Sequence, residues 1–284
     1  MMRMAVIAIV VALATPAPDA VARERITFKS NDGTPLTGFL YRPESPGPHP
    51  AVIMMHGCAG LVTKRGALKR RERTWAYLLK RKGYVVLLVD SFSPRGHRSI
   101  CGKRDRPIEP DRERPHDAYG ALRWLQSKPF VRPDRIALAG WSNGAMAMLW
   151  TINEGAEQRP NDLVHGFRAA VGFYPGCIKI RRKGFKATVP ALLQVGLADN
   201  WTLAKPCLAM VAENNEEGGA AMEIDAYEGA YHAFDHPDLP ARRRLARHGA
   251  FRDGEKQVWI GTHREARQKA IARVMAYLRA ALKD

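Results

Sequence analysis

Two rhythms of apolar and polar positions run through this chain. Residues 25–30 and 35–41 are short strand-like stretches on either side of Asn31-Asp32-Gly33, a turn signal that predicts an antiparallel hairpin. From residue 51 onward the strand-like stretches change character and become short, unbroken apolar runs: 51–55, 84–89, 135–139, 169–173 and 191–196. Runs of this length without alternation are what strands buried on both faces require. Residues 221–227 read as a further strand. Between these runs the period changes to that of a helix. Trp75, Leu78 and Leu79 share a face over 68–82, which Gly83 ends. Ala118, Ala121, Leu122 and Leu125 do the same over 117–126, residues 145–150 are good helix formers, and Ile271, Val274, Met275, Leu278 and Leu282 line one face of a final helix. Strands alternating with helices predict an α/β fold, with a mostly parallel central sheet flanked by helices and an N-terminal antiparallel hairpin. No internal repeat or composition break divides the chain, so one domain over residues 23–284 is expected.

The chemistry-bearing residues fall where these strands end. Gly140-Trp141-Ser142-Asn143-Gly144 lies between the apolar run 135–139 and the helical stretch that follows. A G-x-S-x-G turn between strand and helix holds its serine in a strained backbone with the hydroxyl exposed at the sheet edge, so Ser142 is the candidate nucleophile. A serine needs a base, and the base an orienting acid. Of the histidines beyond Ser142, His232 lies in the loop directly after the strand-like run 221–227, whereas His248 and His263 sit among arginines. His236 is the competitor, but Pro237 and Asp238 turn the chain away after it. Asp199 follows the run 191–196 and is the candidate acid; an Asx turn or a helix cap is the plainer role for it, and the two can coexist. Residues 51–55 lead into His56-Gly57-Cys58-Ala59-Gly60, whose backbone amides suit an oxyanion hole: the N–H groups of Cys58 and Asn143 are the expected donors, with His56 bracing the loop.

These blocks, with Asp90-Ser91-Phe92, Phe173-Tyr174-Pro175-Gly176-Cys177 and Gly229-Ala230-Tyr231-His232-Ala233-Phe234-Asp235, resemble the dienelactone hydrolase family of the α/β-hydrolase superfamily from about residue 27 to the last helix. The resemblance implies a hydrolase of lactones or carboxylic esters that needs no cofactor and works through a nucleophile–His–Asp triad. The chain departs from the namesake enzymes in carrying a serine, Ser142, where they use a cysteine. Two other function classes remain open at this level: an idle hydrolase fold that binds anions through its charge, and an acyltransferase that uses the same triad.

Residues 1–22 carry a basic opening, an apolar run over 5–14 and Ala20-Val21-Ala22, the layout of a cleaved signal peptide; the run is shorter than the roughly 20 residues of a membrane span. A secreted or periplasmic protein is therefore expected. In such a compartment the four cysteines should pair, and their positions after neighbouring strands suggest Cys58–Cys101 and Cys177–Cys207. Their spacing does not suggest a metal site. The formal net charge of +17 is concentrated in clusters at 64–73, 179–186 and 242–247. No nucleic-acid motif accompanies them, and Gly96 to Lys103 has the wrong spacing for a phosphate loop, so the charge implies at most weak attraction to anionic surfaces or acidic esters. The expected partner is a small ester or lactone.

Overall fold

A computed structural model describes residues 23–103, 105–245 and 258–283; the expected signal peptide lies outside them. Eight strands form one sheet. β1 (Arg23–Lys29) and β2 (Pro35–Tyr41) make the antiparallel hairpin, with Gly33 at positive φ in the turn. β2 then pairs antiparallel with β4 (Val85–Asp90), which pairs parallel with β3 (His49–Met55). β5 (Val131–Trp141), β6 (Ala169–Phe173), β7 (Ala191–Gly196) and β8 (Met222–Tyr227) complete the parallel part, in the order β1-β2-β4-β3-β5-β6-β7-β8. The order reverses beside β3, and a parallel sheet keeps its ligands at such a place, beyond the carboxyl ends of the strands.

Each apolar run forms a strand because helices cover both faces. On one face α2 (Glu113–Gln126) and α3 (Asn143–Ile152) close a core around Ile53, Leu87, Leu138 and Leu193. On the other, α1 (Arg70–Arg81) and α6 (Arg264–Leu282) cover Val52, Val86, Ala137 and Leu192. α2 begins four residues ahead of the 117–126 reading, because Pro115 sits in its first turn, where the missing N–H costs nothing. α4 (Ile178–Arg181) and α5 (Ala204–Glu216) follow β6 and β7. Two further strands, β9 (Arg243–Leu245) and β10 (Val258–Ile260), pair antiparallel beside the main sheet. They are too short to leave a periodic signal.

Three details correct the sequence reading. Cys207 lies in α5 rather than in a loop after a strand. His263 caps α6, its Nδ1 accepting from the Ala266 amide at 3.2 Å, rather than standing free in solvent. Arg95, in the basic loop after β4, does not face solvent alone: its guanidinium forks onto the buried Asp117 carboxylate at 2.7 and 2.9 Å.

Candidate active site

β5 runs into Ser142, which caps α3 with φ 52° and ψ −115°. Only tight packing can hold a serine there, at a cost of roughly 1–3 kcal/mol. Two glycines supply the space. A Cβ on Gly140 would stand 2.2 Å from the Gly144 carbonyl oxygen, and one on Gly144 would stand 2.0 Å from that of Met55. The Ser142 amide donates to the Phe173 carbonyl (2.9 Å), which ties the turn to the end of β6. The side chain stays 9% exposed. Non-glycine residues at positive φ among those described are Ser142, Tyr174, which follows the Phe173 that accepts the Ser142 amide, and Ala233, which follows His232.

Asp199 and His232 meet directly. The His232 Nδ1 lies 2.8 Å from Asp199 Oδ2, with both side chains buried. The other carboxylate oxygen, Oδ1, accepts the amides of Trp201 (2.8 Å) and Thr202 (3.0 Å), so the Asx turn and the contact to the imidazole coexist. A carboxylate held by two amides and facing Nδ1 fixes the proton on Nδ1 and leaves a lone pair on Nε2. Nε2 has no hydrogen-bond partner among the described residues, and no hydrogen bond joins it to the Ser142 hydroxyl. The loops carrying Asp199 and His232 are stitched together: Ala198 N donates to Ala230 O (3.1 Å), and a Cβ on Gly196 would strike the same carbonyl at 2.2 Å. On the far side of His232, the Gly261 amide donates to the His232 carbonyl (3.1 Å), pairing the loop with β10.

The loop after β3 lies over the serine. A Cβ on Gly57 would come 3.7 Å from the Ser142 Cβ. Neither the Cys58 nor the Asn143 amide finds an acceptor among the described residues, as donors reserved for a ligand oxygen would be. Cys58 is bonded to Cys101, and its carbonyl accepts the Ile100 amide at 2.9 Å, so the loop is anchored on the far side. Cys177 is bonded to Cys207. His56 is buried and braces the same loop: its Nδ1 lies 2.8 Å from the Gly57 carbonyl, and its Nε2 accepts the Ser91 amide at 3.3 Å. Burial, then the charge of Arg114, holds its pKa well below the usual histidine value, so it stays neutral. Asn143 is fixed by Arg114, which has no exposed surface and donates from Nη1 to Asn143 Oδ1 at 2.6 Å. Burial, with Arg95 nearby, pushes the Arg114 pKa down to about 10.

Several residues that shape the site left no motif of their own. Thr202 Oγ1 lies within 3.0 Å of Tyr174 O, Asp199 Oδ2 and His232 Nδ1. The rings of Tyr174 and Trp201 flank the imidazole, with centroids at 4.5 and 4.6 Å. Asp235 accepts from Trp75 Nε1 (2.7 Å), Trp141 Nε1 (2.8 Å) and the Tyr174 hydroxyl (2.5 Å). That hydroxyl accepts from Arg71 Nη1 at 3.0 Å. Burial opposes the charge on Arg71, but Glu72, Tyr174 and Asp235 beside it hold its pKa above the ordinary value. Trp141 therefore belongs to the core, whereas Trp201 touches the His232 ring. Among the described residues, no group of three or more histidine, cysteine or acidic side chains is placed to hold a metal ion.

A sheet of this order, with a serine turn after β5, an acid after β7 and a histidine after β8, defines an α/β-hydrolase fold. The model of the dienelactone hydrolase family matches residues 36–282, and the chain belongs to that family of carboxylic ester hydrolases. Among curated relatives, a Bradyrhizobium protein with the name "Probable 2-oxo-3-(5-oxofuran-2-ylidene)propanoate lactonase" is 26% identical over 250 residues, covering 83% of this chain and 93% of its own. Human dipeptidyl peptidase 8 is 27% identical over 150 residues, 51% of this chain but 16% of the peptidase. Two solved structures share the fold. One is a dienelactone hydrolase-like promiscuous phosphotriesterase from metagenomic libraries, with TM-score 0.63, 16% identity, and coverage of 92% of this chain and 98% of that one. The other is a thermophilic esterase of the planctomycete Thermogutta terrifontis, with TM-score 0.60, 18% identity, and coverage of 90% and 91%.

Proposed function

We propose that the chain is a serine hydrolase that cleaves a carboxylic ester or lactone through an acyl-enzyme. His232 Nε2 takes the proton of Ser142 as Oγ attacks the carbonyl carbon. Asp199 holds the imidazole tautomer and stabilises the imidazolium. The oxyanion is met by the amides of Cys58 and Asn143. The proton on Nε2 then passes to the leaving alkoxide, and a water activated by the same nitrogen releases the acid. The observation that carries this reading is the Asp199–His232 hydrogen bond of 2.8 Å, which leaves Nε2 unpartnered on the same sheet edge as a serine held at positive φ. Serine–histidine hydrogen bonds in such sites often tighten only when substrate binds, so the unmade contact agrees with a resting enzyme. The two disulfides support function in an oxidising compartment, reached through the expected signal peptide. Among the described residues no helix is long and apolar enough to cross a membrane.

Replacing Ser142 tests the assignment. Ser142→Ala should lower hydrolysis of a short 4-nitrophenyl ester by at least ~10³-fold while leaving the circular dichroism unchanged, and should abolish labelling by a fluorophosphonate. Near wild-type turnover by that variant would refute the nucleophile. Failure of the wild type to label would favour the idle cationic fold. Ester formation with added alcohol would mark an acyltransferase.

A further inference from the structure

The residue after the oxyanion donor opens onto a second feature. Ala59 forms part of the wall of an open cleft of about 470 Å³, whose lining includes Lys64, Lys69, His97, Arg98 and Lys103 and, among the described residues, no acidic side chain. That volume is within the range of small-ligand sites. Two segments make the walls. One is a small flap between Leu61 and Lys69, closed by the Val62–Leu68 bridge and by the Thr63 amide donating to Ala67 O (2.8 Å). The other is the 96–103 loop, which packs backbone against backbone on the oxyanion loop: a Cβ on Gly60 would stand 2.0 Å from the Arg98 carbonyl oxygen. The Cys58–Cys101 bond joins that loop to the oxyanion donor itself. The cleft is therefore built on the same rigid piece of backbone as the reaction site.

Its charge is unmatched. Elsewhere on the surface some basic side chains find partners, as in Lys179–Asp111, Arg181–Glu213, Arg273–Glu223 and Lys269–Glu265, and those unpaired among the described residues, such as Lys29, Lys183 and Lys205, do not line this cleft. Among the described residues, the side chains of Lys64, His97, Arg98 and Lys103 have no ion pair or hydrogen bond. Lys69 donates to the Ala59 carbonyl, and Glu72 and Asp90, the acids that act on it, are both buried. Glu72 is already held by Arg71, and Asp90 by the amides of Phe92 and Ser93. Several like charges gathered in a concave surface focus a positive potential, and only an anion relieves their repulsion. A group with one negative charge would leave most of these cations uncompensated.

We propose that this cleft is a subsite for an oligoanionic arm of the substrate, one bearing at least two negative charges as phosphate or clustered carboxylates, held next to the ester under attack. The proposal rests on the reading of Ser142 as nucleophile, and two measurements separate their fates. The first is calorimetric binding of inorganic tripolyphosphate to the Ser142→Ala protein at low ionic strength. Removing three cleft charges (Lys64→Gln, Arg98→Gln, Lys103→Gln) should weaken binding by at least about tenfold. Removing three at the opposite end of the sheet, where Lys82, Arg279 and Lys283 line another hollow, should weaken it by less than about threefold. Equal losses in the two triple variants would show a global charge effect and overturn the subsite.

The second measurement compares kcat/KM for the 4-nitrophenyl monoester of tricarballylic acid, which keeps two free carboxylates, with that for 4-nitrophenyl butyrate. The dianion-to-neutral ratio should fall about tenfold in the cleft variant, and in the wild type when salt is raised to about 0.5 M, where the screening length shrinks to a few ångströms. A ratio that does not change in the variant overturns the proposal. If the wild type cleaves neither ester, it is the nucleophile assignment that has failed, and tripolyphosphate binding still decides whether the cleft takes anions.

Discussion

Ser142 and His232 sit on the same edge of one sheet but are held there in opposite ways. The serine is positioned by backbone alone: a strained φ, two glycines at carbonyl contact and a hydrogen bond from its amide to the Phe173 carbonyl of β6. The histidine is positioned by side chains drawn from elsewhere, with Asp199 and Thr202 on Nδ1 and the rings of Tyr174 and Trp201 on its faces. A part built from backbone tolerates no added atom. A part built from side chains can lose one partner and keep its shape. Substitutions on the two sides should therefore differ in kind: under the proposed function, stability fails first at the elbow and chemistry first around His232.

Gly144→Ala carries the largest expected effect. Its methyl would meet the Met55 and His56 carbonyl oxygens at 2.0 and 2.7 Å, so the variant should either fail to fold or melt roughly 10 °C lower, as differential scanning fluorimetry would read. Asp199→Asn is the counterpart. It should retain the fold by circular dichroism yet lower kcat about 10³- to 10⁴-fold, because an amide no longer fixes the imidazole tautomer. Equal stability losses in the two variants would erase the distinction.

The disulfides sharpen it. Closing loops with separations of 43 and 30 residues, Cys58–Cys101 and Cys177–Cys207 should each contribute about 3–4 kcal/mol by chain entropy, so both Cys→Ser double variants should denature at lower urea. Only the first includes Cys58, whose amide is a proposed oxyanion donor. Its removal should also lower kcat, by about tenfold, whereas removal of the second leaves kcat near that of the wild type.

The smallest effect is one of pH. His56 stays neutral in the fold because burial lowers its pKa, while in the unfolded chain it titrates near 6.5. Below that pH the unfolded state binds a proton that the folded state refuses, so this contribution is full above about 6.5 and is lost as the pH falls. His56→Gln should lose stability less steeply on acidification, by up to about 1.4 kcal/mol per pH unit. His236, also lowered by burial, is common to both proteins and does not alter the difference.

The layered sheet was legible because each parallel strand is an uninterrupted apolar run, and a run such as Val-Ile-Met-Met at 52–55 has no other stable home. The positions of Ser142, Asp199 and His232 were legible for the same reason: each follows the end of a run, and strand ends in such sheets carry chemistry. What sequence could not expose depends on contacts between distant segments. Thr202 resembles any helix-entry threonine until its hydroxyl is seen beside the imidazole. Arg114, in the mixed-charge stretch Asp111-Arg112-Glu113-Arg114, is fully buried against Asn143. β9 and β10 are three residues each, too short for a period to register.

Asp235 gathers Trp75 from α1, Trp141 from the elbow and Tyr174 from beyond β6, partners 160, 94 and 61 residues away along the chain. Such long closures must all be made before any of them is secure. The region around Asp235 should consequently be among the last to consolidate as the polypeptide folds, because its contacts join segments that are far apart along the chain.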